Sequence, residues 1–124
     1  MSEKSFHAVF VGINDYPKTA HRLKGCVNDL LDIKGLFDDY CKSNSLQFRP
    51  KVLLNGKATR QGVIDSFSHF AAAESGDLCL FYYSGHGSRM NIPEEFWHID
   101  LDKKCETLVC YDSREPGGRD LTDK

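Results

Sequence analysis

A histidine flanked by glycines is the residue of this sequence best suited to carry chemistry. The segment reads Ser84-Gly85-His86-Gly87-Ser88 and follows six apolar residues, Leu78 to Tyr83, that predict a strand buried on both faces. Glycine on both sides permits a sharp turn and leaves the imidazole uncovered at the end of the strand. Histidine has an unperturbed pKa of about 6.5, so it can accept or donate a proton there near neutral pH. A plain turn that ends a strand would look the same in sequence.

Serine and phosphate chemistry explain this segment less well. A nucleophile elbow has glycine two residues before and two after its serine, whereas Ser84 has Tyr82 two residues before it. A phosphate-binding loop runs into a helix start and, in the Walker form, carries a lysine, and neither follows Ser88. The remaining possibility is that His86 serves as the base for a thiol nucleophile.

The cysteines do not identify that thiol. A cysteine nucleophile must come within hydrogen-bond reach of its base. Cys79 lies inside the apolar strand, Cys41 near the predicted end of a helix, and Cys26 near a helix start. Residue types and spacing therefore predict a histidine site without naming its reaction.

Composition limits the classes of function. The chain has 124 residues, enough for one domain, and a net charge of -2, which does not suggest nucleic acid or a membrane surface as a partner. Its apolar runs are too short to span a membrane, and its charged N-terminus does not resemble a signal peptide. Five cysteines without a C-x-x-C spacing argue for reduced thiols in the cytoplasm and against a metal–thiolate site.

Alternating apolar segments predict the elements that position His86. Strands and amphipathic helices follow each other in the order β-α-β-α-β. This order predicts right-handed crossovers and a parallel sheet, in which functional residues gather beyond the carboxyl ends of the strands. The predicted elements are strands Phe6–Ile13, Lys51–Leu54 and Leu78–Tyr83, a first helix capped by Asn28 and ended by Ser43-Asn44-Ser45, and a second helix capped by Thr59.

Three loops are therefore expected to share one edge of the sheet. They comprise residues 12–16, 55–56 and 84–88. The start of the first helix, with Cys26 and Asp29, should return near the same edge after its long loop.

The pattern is weaker in the rest of the chain. Residues 90–104, which include Trp97, are polar and irregular, and residues 107–111 predict a short strand. Residues 112–120 have the composition of a solvent loop, after which no further strand is expected.

Four short motifs, spread over nearly the whole chain, carry a family resemblance. They are Gly12-Ile13-Asn14-x-Tyr16, Leu23-x-Gly25-Cys26-x-Asn28-Asp29, Tyr82-Tyr83-Ser84-Gly85-His86-Gly87-Ser88 and Glu106-Thr107-Leu108-Val109-x-x-Asp112. In this order they resemble the caspase-like cysteine peptidases, and most of all the metacaspases and their bacterial relatives, the orthocaspases. The resemblance implies a three-layer α/β/α fold with a mainly parallel sheet. Residues 1–124 would form the N-terminal part of one such domain, incomplete at its C-terminus.

The resemblance also implies an activity. Members of the family are cysteine endopeptidases, and His86 would be the catalytic base and acid of a Cys–His dyad. Cys26, Asp29 and Ser84 would form a pocket for an Arg or Lys side chain of a protein or peptide substrate. A carboxylate at Asp29 would pair with a guanidinium or ammonium group and would disfavour aspartate. Simpler interpretations stay open, namely Asp29 as an acid of the first helical turn and Cys26 as a packing residue.

One departure from the family pattern concerns the nucleophile. Family members carry the reactive cysteine in an Asp-x-Cys-His-Ser-Gly-like motif on the next strand, which this sequence does not contain. The 124 residues alone are therefore expected to be inactive, and further domain sequence is expected beyond Lys124. That lysine marks a truncation or a processing site, and truncation is the favoured interpretation.

A second departure concerns calcium. Calcium-dependent metacaspases carry an acidic cluster after the histidine loop. Here Cys105 and Lys124 replace two of its aspartates, and only Asp123 remains. Because one carboxylate is a poor calcium site, no cofactor is expected, and the parent enzyme should be independent of calcium or bind it elsewhere.

Two other classes of function stay open. A catalytically dead caspase-like scaffold would keep the fold for protein interaction, and a residue other than cysteine in the missing motif would favour it. A small-molecule or phosphate-binding α/β domain would bind its ligand without further sequence.

Overall fold

A three-stranded parallel sheet forms the centre of the molecule. The computed structural model describes residues 3–91 and 104–122. The strands are β1 (Ser5–Gly12), β2 (Gln47–Leu54) and β3 (Leu78–Ser84), and they lie in the order β2-β1-β3. All pairings are parallel, with Gly12 in register with Leu54 on one side and with Ser84 on the other. The predicted parallel sheet is therefore confirmed, and β2 begins four residues earlier than predicted, at Gln47 rather than Lys51.

The central strand is β1, which is buried along its whole length. The strand before His86 differs from the prediction, because β3 lies at the edge of the three described strands. Leu78 is 44% exposed and Cys79 is also exposed. The prediction that β3 is buried on both faces is thus wrong, since a continuous apolar run does not distinguish a central strand from an edge strand.

Helices cover both faces of the sheet. Successive side chains of a strand point to opposite faces. On one face Phe6 and Phe10 pack with Leu30 of α1 (Cys26–Ser43). On the other face, Val9 and Val11 pack against α2 (Arg60–Ser66) and the 3-10 helix Phe67–Ala72 that follows it. This confirms the α/β/α layering.

The two helices begin differently from each other. Thr59 caps α2 as predicted, because its hydroxyl oxygen accepts the N–H of Gly62 at 3.0 Å. The first helix begins at Cys26, so the predicted cap at Asn28 is wrong. Its first N–H groups are instead satisfied from a neighbouring loop.

That loop residue is Asn14. Its Oδ1 accepts the N–H of Cys26 at 2.9 Å and that of Val27 at 3.3 Å. A capping side chain normally precedes the helix by one residue, whereas this one is twelve residues away in sequence. Sequence periodicity does not detect such a remote cap, and the contact ties the start of α1 to the carboxyl end of β1.

An antiparallel ribbon follows the histidine segment. Its strands are β4 (Gly87–Asn91), β5 (Lys104–Leu108) and β6 (Leu121–Thr122), with β5 in the middle. The predicted strand at residues 107–111 starts earlier and ends at Leu108, and residues 90–91 are extended rather than irregular. The absence of a later strand was also wrongly predicted, because β6 pairs with β5. Trp97 lies outside the described residues.

The segment between β5 and β6 is anchored rather than free in solvent. Asp112 Oδ1 accepts the N–H of Arg60 at 2.9 Å, at the start of α2. Ser113 is 4% exposed, accepts the N–H of Cys110 at 2.7 Å and donates to the Arg119 carbonyl at 3.0 Å. Composition predicted a solvent loop, because it does not distinguish polar residues that face solvent from polar residues that anchor a loop by hydrogen bonds. None of the helices that the structure describes is long and apolar enough to cross a membrane.

Candidate active site

The loops at the carboxyl edge of the sheet are joined by hydrogen bonds. The N–H of Ile13, just after β1, donates to the Ser84 carbonyl at 3.0 Å. Asn55, just after β2, accepts the N–H groups of Asn14 and Asp15 through Oδ1, at 2.9 and 3.1 Å. These contacts confirm that the three predicted loops meet at one edge.

The His86 side chain is half-buried in a cleft of about 190 Å³ at this edge. Its Nε2 lies 2.7 Å from the carbonyl oxygen of His21, in a 3-10 turn (Thr19–His21) of the loop before α1. Because a carbonyl oxygen only accepts hydrogen bonds, Nε2 must carry the hydrogen. The neutral ring then keeps its lone pair on Nδ1, which can act as a base. The cleft is lined by His21, His86, Gly87, Ser88, Val109 and Arg114.

Two tyrosine hydroxyls hold the backbone of His86. The His86 N–H donates to the Tyr16 hydroxyl oxygen at 2.9 Å, and the Tyr83 hydroxyl donates to the His86 carbonyl at 2.6 Å. Each hydroxyl also lies 2.8 Å from the Val109 carbonyl. Burial raises the pKa of both tyrosines, so both stay protonated at neutral pH.

Of the two glycines beside His86, only Gly85 is needed for space. A Cβ at Gly85 would lie 2.6 Å from the Tyr83 hydroxyl and 2.8 Å from that of Tyr16, whereas at Gly87 the nearest atom, the Thr107 carbonyl oxygen, is 3.5 Å away. Neither glycine has a positive φ. A sharp turn was the predicted reason for glycine at these positions. The structure gives a different reason for Gly85, because two hydroxyls approach its backbone closely.

The predicted pocket residues reach the same edge but do not line the His86 cleft. Ser84 is the last residue of β3 and is half-buried, and Cys26 is the half-buried first residue of α1. Asp29 is exposed on the first turn of α1. No hydrogen bond joins these three side chains to His86 among the described residues, so their role in binding substrate stays a prediction.

Several residues of the site were not predicted. Tyr16, Tyr83 and Val109 belong to the four motifs, but nothing in their spacing shows that they surround the histidine backbone. Arg114 also lines the cleft, and its Nη1 and Nη2 lie 2.5 and 3.2 Å from the two carboxylate oxygens of Asp120. No sequence pattern indicates that Arg114 reaches the cleft, because its segment has the composition of a solvent loop.

The buried cysteines that the structure describes are poor nucleophiles. Cys41 and Cys110 are buried, which raises the pKa of both thiols, that of Cys110 to about 11. Cys79 lies at the opposite end of β3 from His86. Within residues 3–91 and 104–122, no group of three or more His, Cys, Asp or Glu side chains could hold a metal ion. The side chains considered for calcium, at positions 105, 123 and 124, lie outside the description.

Known proteins resemble this chain in sequence. The chain is 38% identical to Metacaspase-9 of Arabidopsis thaliana over 93 residues, which cover 67% of it and 27% of the relative. It is 35% identical to Metacaspase-4 of the same plant over 130 aligned positions, covering 94% of the chain and 29% of the relative. Inactive metacaspase-4 of Trypanosoma brucei brucei is 26% identical, with 88% of the chain and 31% of that protein covered. The chain thus spans less than a third of the length of each of these relatives.

A solved structure and a family model also match this chain. The crystal structure of protein GSU0716 from Geobacter sulfurreducens superposes with a TM-score of 0.67 over 96% of this chain and 42% of the other. At 24% identity this likeness shows a shared fold. The model of the caspase domain family matches residues 5–114, which include β1 to β5 and the histidine loop. The chain therefore belongs to the caspase domain family.

Proposed function

We propose that this chain is the histidine-bearing part of a cysteine endopeptidase that cleaves after Arg or Lys. The observation that carries the proposal is the hydrogen bond between His86 Nε2 and the His21 carbonyl, because it leaves Nδ1 free to accept a thiol proton. Family membership and the similarity to metacaspases support the reaction class.

In the proposed reaction His86 moves one proton in each half of the cycle. Nδ1 takes the proton from a cysteine thiol, and the thiolate attacks the carbonyl carbon of the scissile peptide bond. The imidazolium then gives the proton to the leaving amine, and a thioester remains. In the second half, His86 takes a proton from water as the water oxygen attacks the thioester carbonyl. The C–S bond then breaks, the acid product leaves, and the imidazolium returns the proton to the cysteine sulfur. Throughout, the Nε2–H can stay on the His21 carbonyl, which stabilises the cationic ring.

The proposal assigns the nucleophile to a cysteine beyond the described residues. Among the cysteines that the structure describes, none has a sulfur within hydrogen-bond distance of the His86 ring. The proposed enzyme is therefore the complete protein that contains this chain, and residues 1–124 alone should not cleave peptides.

The proposed specificity comes from Asp29. Its carboxylate is exposed, and no basic side chain that the structure describes lies within ion-pair distance of it. An exposed acid without such a partner can pair with a substrate guanidinium or ammonium group. Cys26 and Ser84, at the same edge, would form the walls of this pocket.

The test uses the complete protein and peptides that differ only in the residue before the cleaved bond. We expect cleavage after Arg and Lys, no cleavage after Asp, and loss of activity in His86→Gln. Asp29→Asn should lower kcat/KM by about ten-fold or more, because a charge pair with the substrate is lost. Asp32→Asn is the matched control, since Asp32 is exposed one turn further along α1. Preference for Asp would contradict the role given to Asp29.

A catalytically inactive scaffold is the second candidate. It is favoured by the relative named inactive metacaspase-4, which shares 26% identity with the chain. The full sequence separates the two candidates, because the proposed enzyme needs a cysteine in the Asp-x-Cys motif. If another residue stands there and the complete protein cleaves none of the peptides, the protein is a catalytically inactive scaffold.

A further inference from the structure

The N–H and the carbonyl of His86 are held by two tyrosine hydroxyl groups. Tyr16 accepts the His86 N–H, and Tyr83 donates to the His86 carbonyl. The two hydroxyl oxygens lie 3.2 Å apart. Tyr16 comes from the loop after β1 and Tyr83 from β3, so two separate segments converge on one residue.

His86 lies at the point where the chain leaves one sheet and enters another. β3 ends at Ser84, and β4 starts at Gly87, which is in register with Leu108 of the antiparallel ribbon. The His86 carbonyl also accepts the N–H of Val109 at 3.0 Å. The described strand pairings end at Ser84 and resume at Gly87, so contacts outside these pairings hold Gly85 and His86.

We propose that Tyr16 and Tyr83 are positioning residues that aim the His86 imidazole at the His21 carbonyl and hold Nδ1 in the orientation needed for proton transfer. The hydroxyls act through the backbone, since neither is hydrogen-bonded to the ring. The consequence for turnover rests on the proposed peptidase function, whereas the effect on the ring does not.

A purely structural role for the tyrosines makes a different prediction. If they only fill the core, removing a hydroxyl while keeping the ring should leave His86 unchanged. Tyr16 is 2% exposed, and its ring lies 5.0 Å from the His86 ring, so Phe would preserve this packing. The Tyr→Phe change therefore separates positioning from packing.

The first experiment observes His86 in this chain by NMR, with the ring nitrogens labelled and His86 assigned from His86→Gln. We expect the neutral ring to be the Nε2–H tautomer, and Tyr16→Phe and Tyr83→Phe to shift or broaden its signals. Tyr82→Phe is the matched control, because Tyr82 precedes Tyr83 in β3 and packs on Phe10, on the other face of the sheet. Unchanged His86 signals in both folded variants would overturn the proposal.

A second measurement needs no variant, in case a substitution prevents folding. In the unmodified chain the His86 amide should be protected from hydrogen exchange, because its partner is a buried hydroxyl. The hydroxyl protons of Tyr16 and Tyr83 should also exchange slowly enough to be observed. A rapidly exchanging His86 amide would overturn the proposal regardless of how the variants behave.

The third measurement is turnover by the complete protein. We expect Tyr16→Phe and Tyr83→Phe to lower kcat by about ten-fold or more with little change in KM, because a misplaced base slows proton transfer without weakening substrate binding. Tyr82→Phe should leave both constants unchanged. Changes in the NMR signals of an inactive protein would support the positioning role and refute the peptidase function. Unchanged kcat in the two variants of an active protein would refute positioning.

Discussion

The imidazole of His86 places Nε2 2.7 Å from the carbonyl oxygen of His21. The two residues are 65 positions apart and belong to different elements, the turn before α1 and the junction after β3. A backbone carbonyl cannot donate, so the contact selects one tautomer of the neutral ring. This single relationship makes the candidate site suitable for a base at Nδ1.

The tautomer itself is a testable prediction. Nitrogen chemical shifts of the neutral ring should show the hydrogen on Nε2 and a lone pair on Nδ1. His69 provides an internal comparison, since its Nε2 lies 2.8 Å from the Arg49 carbonyl and should show the same tautomer. A neutral His86 with its hydrogen on Nδ1 would contradict the contact with His21.

The glycines beside His86 should respond differently to alanine. Gly85→Ala brings a Cβ within 2.6 Å of the Tyr83 hydroxyl, so we expect a loss of about 1–3 kcal/mol in the free energy of unfolding, typical of overpacking. Gly87→Ala should cost less, because its Cβ would meet no atom closer than 3.5 Å. Urea denaturation of both variants measures the difference, and equal losses would show that Gly85 is not crowded.

Asn55 combines two roles that substitutions can separate. It has a φ of 50°, and its Oδ1 accepts two N–H groups from the loop after β1. Asn55→Gly removes the two hydrogen bonds, but glycine adopts the positive φ without strain. Asn55→Ala removes the same hydrogen bonds and also places a Cβ on a backbone with positive φ. We expect the alanine variant to be less stable than the glycine variant by about 1 kcal/mol, the usual cost of a left-handed residue with a Cβ. A more stable alanine variant would contradict this.

Asp77 should make stability depend on pH in acid. Its carboxylate accepts the N–H groups of Glu74 and Ser5 and the Nε2–H of the buried His7, each at 3.0 Å. The two backbone donors, followed by His7, hold the pKa of Asp77 well below its ordinary value of 3.8. The stabilisation is therefore complete above about pH 4 and is lost as pH falls further, because the unfolded chain takes up the proton first.

Asp77→Asn should accordingly lower the urea midpoint at pH 7, and the difference from the unmodified chain should shrink below about pH 4. Asp65→Asn is the control, because Asp65 is exposed and accepts a hydrogen bond only from Gln61 among the described side chains. If the difference in urea midpoint stays constant between pH 7 and pH 2, the negative charge of Asp77 does not stabilise the folded chain.

Much of the architecture could be predicted because it depends on local patterns. The alternation of strands with amphipathic helices predicted the parallel sheet, and Thr59 was recognised as a cap from its residue type. The cap of α1 was missed because Asn14 supplies it from a loop that is distant in sequence. The edge position of β3 was missed because an apolar run carries no information on how many neighbours a strand has.

The sequence by itself determined the family and the layering, and it predicted a catalytic role for His86, since each depends on residue types and spacing along the chain. Only the tertiary structure decided what surrounds that histidine. It brought the His21 carbonyl to Nε2 and the hydroxyls of Tyr16 and Tyr83 to the backbone on either side. Hydrogen bonds of this kind require atoms within about 3 Å, and the distance between residues that are far apart in sequence is set only when the elements pack.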